Sequence, residues 1–192
     1  MCSFYGSRLE PKRALFLENK NMEKIINKNQ EFLQKLEDDS ALKKRINELA
    51  NGQHPKTIVI TCSDSRVIPE YIMDATFGEL FVIRTAGNVI NDGELATLEY
   101  GIAHLKISDI IVLGHTSCGA IHAAIHNESG KYVGKILDII KDNIEEEKDE
   151  LEASKLNALK TASYIRNKFS DYSLNVIPAI YDIKTGVISI IK

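Results

Sequence analysis

Residues 21–50 carry apolar side chains at three- and four-residue steps, which is the spacing of an amphipathic helix. The pattern breaks near Asp38-Asp39-Ser40, where Ser40 can cap a second helix, and it stops at Asn51-Gly52. We therefore expect an N-terminal helical arm over residues 1–51. The apolar face of this arm packs either on the core of its own chain or on a partner subunit.

After residue 52 the pattern changes to short, uninterrupted apolar runs. These runs lie at 57–61, 80–83 and 109–113. Continuous apolar runs are typical of strands that are buried on both faces of a parallel sheet. Helical patterns lie between and after them, at 94–105, 118–126, 135–151 and 153–169, with a turn at 67–73.

The last two apolar runs, 175–181 and 187–191, flank a Lys184-Thr185-Gly186 turn and predict a hairpin-like strand pair. The sequence thus predicts an α/β fold with a mainly parallel central sheet and flanking helices. The helical arm, 1–51, is expected to be part of the same domain as the α/β region, 52–192.

Composition narrows the class of protein. The chain has 192 residues and a net charge of −3, from 24 basic and 27 acidic side chains. This balance argues against nucleic acid or a membrane surface as partner. No apolar run is long enough for a signal-peptide core or a membrane span. Three cysteines are an odd number in a chain too large to need disulfides, so we expect a reducing, cytoplasmic location.

Polar clusters follow the three parallel strands, at the edge of the sheet where α/β proteins bind ligands. They are Cys62–Arg66, Arg84–Asn88 and Gly114–Gly119. Within them, Cys62, His115 and Cys118 form a Cys₂His set, which is the ligand type of a catalytic zinc site with an open fourth position. The alternative is that each cysteine is a small buried hydrophobe and His115 an ordinary loop histidine.

Asp64 has two alternative partners in this scheme. It binds the metal as a fourth ligand in a closed state, or it pairs with Arg66 and leaves the fourth position open to water. His122 and His126, one helical turn apart after Cys118, are either proton shuttles or ordinary helix histidines. A phosphatase loop is excluded because only three residues separate Cys62 from Arg66.

These motifs, at this spacing, resemble the β-class carbonic anhydrases over about Gly52–Ala120. The resemblance implies that Cys62, His115 and Cys118 bind one Zn²⁺ per chain and that Asp64 pairs with Arg66. It extends to the plant-type branch through Gln53, Phe81, Tyr100 and Gly119, and Val59 stands where the other branch has a tryptophan. In that branch the residues that match Gln53, Phe81, Tyr100 and Gly119 bind substrate, and the neighbouring subunit supplies the first three.

The activity implied is that of a carbonic anhydrase (carbonate dehydratase, a zinc lyase). Zinc-bound hydroxide would attack carbon dioxide and form bicarbonate and a proton. The implied assembly is a homodimer or higher homo-oligomer. Two alternatives stay open at this point: hydrolysis of carbon disulfide or carbonyl sulfide on the same site, and a non-enzymatic zinc-stabilised protein.

Overall fold

The structure is a computed structural model and describes residues 11–192, with side chains from residue 20 onward. The chain divides into two compact units on either side of the Asn51–Gly52 boundary. The expectation that the arm and the α/β region share one domain stays a prediction.

Where the structure describes it, from residue 11 onward, the first unit contains two helices, α1 (Pro11–Asp38) and α2 (Ser40–Leu49). The break between them lies where the pattern predicted it, but the predicted cap was wrong. Asp39 precedes α2 in an extended conformation, and its Oδ1 accepts a hydrogen bond from the Leu42 N–H at 2.9 Å. The carboxylate satisfies a free N–H of the first turn and also suits the positive end of the helix dipole.

The second unit is built on a five-stranded sheet of order β2-β1-β3-β4-β5. The first four strands are parallel, and β5 runs antiparallel to β4. The predicted α/β fold, with its terminal strand pair, is confirmed. The strands are β1 (Thr57–Cys62), β2 (Leu80–Thr85), β3 (Asp109–His115), β4 (Asn175–Tyr181) and β5 (Ile188–Ile190).

The segments that connect the strands contain helices. They are α3 (Pro69–Ile72), α4 (Asp92–Glu99), α5 (Gly119–Ile125), α6 (Gly134–Ile144) and α7 (Glu150–Lys168). A π-helical turn, Tyr100–His104, continues α4, so the predicted helix at 94–105 is present in two parts. Among the described residues, no helix has both the length and the apolar character needed to cross a membrane.

The predicted helix at 135–151 was wrong at its end. α6 ends at Ile144, and Glu145 adopts a φ of 56°, which turns the chain out of the helix. Glu147 then accepts hydrogen bonds from the backbone N–H groups of Lys148 and Asp149, and Asp149 caps α7. These side-chain acceptors compete with the helical hydrogen bonds of the backbone, which places the acidic run 145–149 in a connection.

Strand β1 lies in the middle of the core. Ile58 and Ile60 pack on one face of the sheet with Ile165 of α7, while Val59 packs on the other face with Leu113. All four of the β1 and β3 residues just named are buried, as predicted for a strand covered on both faces. In the edge strand β2, by contrast, only Ile83 is buried.

We predict that Ile165→Ala lowers the free energy of unfolding by about 2–5 kcal/mol, because it leaves a cavity between α7 and the sheet. The matched control is Ile190→Ala on β5, the strand at the other edge of the sheet, where the side chain is 66% exposed. The control is expected to change stability by less than about 0.5 kcal/mol. Urea unfolding followed by circular dichroism measures both, and equal losses would contradict this account of the core.

Candidate metal centre

Three ligand-type side chains meet at the carboxyl ends of β1 and β3. Cys62 is the last residue of β1, His115 is the last residue of β3, and Cys118 directly precedes α5. The two strands are parallel neighbours, so their carboxyl ends lie side by side. The Sγ atoms and an imidazole nitrogen lie within 4.8 Å of one another, and all three residues are buried.

The imidazole of His115 is oriented by its own backbone neighbourhood. Its Nδ1 lies 2.9 Å from the Thr116 carbonyl oxygen, so Nδ1 carries the proton and donates it there. This leaves Nε2 as the lone-pair nitrogen. Nε2 is buried and has no hydrogen-bond partner among the described residues. A buried nitrogen acceptor without a donor is costly unless another group, such as a metal ion, takes its lone pair.

The two thiols stand close enough to share one metal ion. Their Sγ atoms are 3.9 Å apart, and two sulfurs on one tetrahedral zinc at about 2.3 Å each would be about 3.8 Å apart. The hydrogen bond from Cys118 lowers the pKa of Cys62 to about 4 against the opposing effect of burial. The hydrogen bond to the Cys62 thiolate and burial both raise the pKa of Cys118, so Cys118 keeps its proton. The donor set therefore fits zinc.

Asp64 is held by Arg66 in a two-pronged ion pair. Arg66 donates from Nε to Oδ1 at 2.9 Å and from its terminal nitrogen to Oδ2 at 2.7 Å. The hydrogen bonds from Arg66 lower the pKa of Asp64 to about 2. Of the two alternatives for Asp64, the structure shows the pair with Arg66. Arg66 also donates to the Ser117 carbonyl at 3.1 Å, which ties this pair to the turn between His115 and Cys118.

Arg84 on β2 organises the loop after Cys62, a role that the sequence analysis missed. Its terminal nitrogen donates to the carbonyls of Asp64 and Val67, at 2.8 and 2.7 Å, and its Nε donates to the Cys62 carbonyl at 3.3 Å. These bonds fix the backbone that carries both the ligand and the carboxylate. The only signal in the sequence was a charged residue at the end of an apolar strand run.

The structure also places Gly87 and Asn157 at the metal centre, and sequence reasoning missed both roles. The Gly87 N–H donates to the Cys62 Sγ at 3.3 Å, and the Asn157 Nδ2 donates to the Gly87 carbonyl at 2.7 Å. The sequence offers only a weak signal for Asn157, because the buried face of α7 also carries the polar residues Ser154 and Thr161.

Gln53, Phe81 and Tyr100 lie at the opposite end of the sheet from the three ligands. Gln53 is exposed ahead of β1, and Phe81 pairs with Ile58 near the start of the strands. The Tyr100 ring lies 6.3 Å from the Phe81 ring and is 46% exposed. Four residues of strand separate Phe81 from the ligand end, or about 13 Å. Within one chain these three side chains do not reach the metal centre.

The other predicted residues lie nearer to the three ligands. Gly119 is the exposed first residue of α5, directly after Cys118. His122 lies on the next turn, and its Nδ1 is 2.7 Å from a carboxylate oxygen of Glu150. The ring of His126 stacks on His122 at 4.1 Å. The His122 side chain is half-exposed, and its role in proton transfer stays a prediction.

Comparison with known proteins gives a consistent picture. A family model described as carbonic anhydrase matches residues 57–188. The carbonic anhydrase of Synechococcus elongatus is 34% identical over 173 residues, which cover 72% of this chain and 61% of that protein. The present chain therefore spans less than two-thirds of that relative's length.

Solved structures agree with the fold. A β-carbonic anhydrase of Aspergillus fumigatus superimposes with a TM-score of 0.77 at 26% identity, covering 90% of this chain and 91% of that one. A tetrameric β-carbonic anhydrase of Sordaria macrospora gives a TM-score of 0.72 at 26% identity, covering 90% and 97%.

We predict that the purified chain binds about one zinc ion. Cys62→Ser and Cys118→Ser are each expected to lose this ion, because the two protein ligands that remain bind zinc too weakly to retain it. The matched control is Ser65→Ala, which alters an exposed side chain in the same loop. Metal content after dialysis, with circular dichroism to verify folding, measures the effect. Stoichiometric zinc in a folded Cys62→Ser protein would overturn the ligand assignment.

Proposed function

This chain belongs to the β-class carbonic anhydrase family, and from that premise we propose that it catalyses the reversible hydration of carbon dioxide to bicarbonate and a proton. The observation that carries the proposal is the buried Cys62-His115-Cys118 group, with the carboxylate of the nearby Asp64 held by two hydrogen bonds from Arg66. A metal held by three protein ligands keeps a position for a reactant, whereas a fourth protein ligand would close it.

Zinc is the cofactor that we propose, held by the two thiolates and the Nε2 of His115. Bound there, it would act as a Lewis acid that makes water acidic enough to attack carbon dioxide near neutral pH. The chain's own groups set the conditions for this chemistry. The Thr116 carbonyl fixes the tautomer of His115, and the Gly87 N–H fixes the sulfur of Cys62.

Asp64 is the proposed catalytic carboxylate. Its low pKa keeps it ionised throughout the neutral range, so it accepts and does not donate a hydrogen bond. In that state it orients the attacking water through the water's O–H, while Arg66 prevents it from swinging onto the metal. The exposed Gly119 N–H, in the first turn of α5, has no intrahelical acceptor and is free to bind a substrate oxygen.

The substrate pocket that we propose is shared between two chains, as in the plant-type branch. Supporting this, Gln53, Phe81 and Tyr100 lie at the far end of the sheet from the ligands of their own chain. A partner can bring its own copies of these side chains to the ligand end of the sheet, and the aromatic rings would line an apolar pocket for carbon dioxide there. The tetrameric relative from Sordaria macrospora supports an oligomer, of which the homodimer is the smallest.

We place this activity in the cytoplasm, because the proposed ligands must stay reduced. Cys62 and Cys118 are free thiols whose sulfurs are 3.9 Å apart, and an oxidising compartment would favour their oxidation over metal binding.

The activity is tested by stopped-flow carbon dioxide hydration with the zinc-loaded chain. We expect activity that rises between about pH 6.5 and about pH 9 as water ionises at the site. Asp64→Asn is expected to lower kcat/KM by at least about tenfold, because the amide no longer offers two acceptors. The control is Asp138→Asn on the exposed side of α6. A zinc-loaded protein without activity at any pH would contradict the proposed reaction.

The shared pocket is tested by mixing two inactive variants. Cys62→Ser loses the metal, and Gln53→Ala is expected to lose most activity because it removes the proposed substrate donor. After subunit exchange at equal amounts, half of the dimers are mixed, and each mixed dimer holds one intact site. Activity should therefore recover to about a quarter of the wild-type value.

No recovery after verified subunit exchange would show that each site lies within a single chain. Full activity of Gln53→Ala by itself would instead contradict the role of Gln53. A mixture of Cys62→Ser with Asp64→Asn is the matched control. Both substitutions then lie at the ligand end. In the mixed dimer one site lacks Cys62 and the other lacks the Asp64 carboxylate, so no activity should be recovered.

A further inference from the structure

Helix α7 sends one amide side chain into the core behind the metal centre. Asn157 is completely buried, as are Ala153 and Ala158 of the same helix. Both ends of the amide are engaged: Nδ2 donates to the Gly87 carbonyl at 2.7 Å, and Oδ1 accepts from the Nδ2 of Asn143 at 2.9 Å. A buried amide is costly without such partners, so these bonds hold Asn157 in one orientation.

The residue that Asn157 holds is the one that donates to the ligand sulfur. Gly87 has a φ of 69°, and a Cβ at this position would lie 2.7 Å from the Cδ1 of Ile140 and 3.2 Å from the Cβ of Ala120. Both conformation and space therefore require glycine. The carbonyl bound by Asn157 and the N–H directed at Cys62 flank the same Cα, so fixing the first also aims the second.

An N–H directed at a thiolate draws electron density from the sulfur and so changes how much charge the sulfur gives to a metal. Hydrogen bonds to ligating sulfurs are among the main ways in which proteins tune metal sites. Glycine is flexible, and Gly87 has no side chain that could fix the conformation of the turn at Ala86–Asn88. The anchor must therefore come from outside the turn, and Asn157 supplies it.

We infer that Asn157 is a positioning residue of the metal centre: through Gly87 it aims an N–H at the Cys62 sulfur and thereby limits the charge that this thiolate donates. The inference rests on the proposed metal site. It adds that the electronic character of the site is set in part from α7, by an amide that touches neither the metal ligands nor substrate.

Cobalt(II) is a suitable probe, because its sulfur-to-metal charge-transfer absorption reports the electron density on the ligand sulfurs. Asn157→Leu keeps the approximate shape of the side chain and removes the donor. We expect its cobalt-loaded form to absorb at lower energy than the wild type, and its zinc affinity to fall by about tenfold or more. Asn143→Leu removes only the brace on Asn157, so it should shift the absorption in the same direction but less.

The matched control is Ser154→Ala, also on the buried face of α7. Ser154 is 2% exposed, and its Oγ donates to the Glu150 carbonyl at 2.7 Å, so this variant too loses a buried hydrogen bond. It is expected to lower stability without moving the cobalt absorption. A folded Asn157→Leu protein with the wild-type spectrum would overturn the inference. If Asn157→Leu does not fold, an unshifted Asn143→Leu spectrum would overturn it equally.

Failure of this inference and failure of the proposed function give different results. If the wild-type chain binds neither cobalt nor zinc, the proposed metal site is wrong, and the proposed function fails with it. If the wild-type chain binds cobalt and shows a sulfur charge-transfer band, and the Asn157 and Asn143 variants show the same band, only the proposed role of Asn157 is wrong.

Discussion

The burial of two sulfurs and one imidazole nitrogen at a single point is the constraint on which the rest of this structure depends. The backbone N–H of Gly87 donates to the Cys62 sulfur, while the Nε2 of His115 has no partner among the described residues. Two thiolates side by side in a buried place would repel each other strongly, and a single shared proton only partly relieves this. A divalent cation resolves both problems at once, since it neutralises the two negative charges and takes the free lone pair.

The structure around this group also holds a nearby carboxylate, that of Asp64, in a fixed ion pair. Asp64 is two residues from Cys62, close enough in sequence to become a further ligand. The guanidinium of Arg66 occupies both of its oxygens, and Arg84 fixes the backbone on which it is carried. An Arg–carboxylate pair with two parallel hydrogen bonds is specific in direction as well as in energy. The loop thus keeps a negative charge near the candidate metal site while Arg66 engages both carboxylate oxygens of Asp64.

The sequence predicted the parts of this fold that depend on local patterns. Continuous apolar runs located β1 and β3, and the position of Cys62 and His115 at their ends predicted that the two side chains would lie close together. Local rules failed where one side chain decided the outcome. Asp39 and not Ser40 caps α2, and Asp149 and Glu147 end a helical pattern that periodicity alone would continue. The contact between Asn157 and Gly87 joins residues 70 positions apart, and no local pattern reports a contact of that length.

The two ends of the sheet differ in burial and in hydrogen bonding. This difference bears on the proposal that the site is shared between two chains. The ligand end is buried and fixed: His115 is 1% exposed, and its neighbours are tied by hydrogen bonds from α7 and β2. The other end presents an exposed Gln53 and a half-exposed Tyr100. A metal site needs rigid ligands, because small displacements weaken coordination. A pocket for a small apolar molecule needs only to exclude water, which a partner's surface can do. In the proposed shared site, each chain would build the rigid metal-binding half from its own core, and only the apolar pocket would depend on assembly.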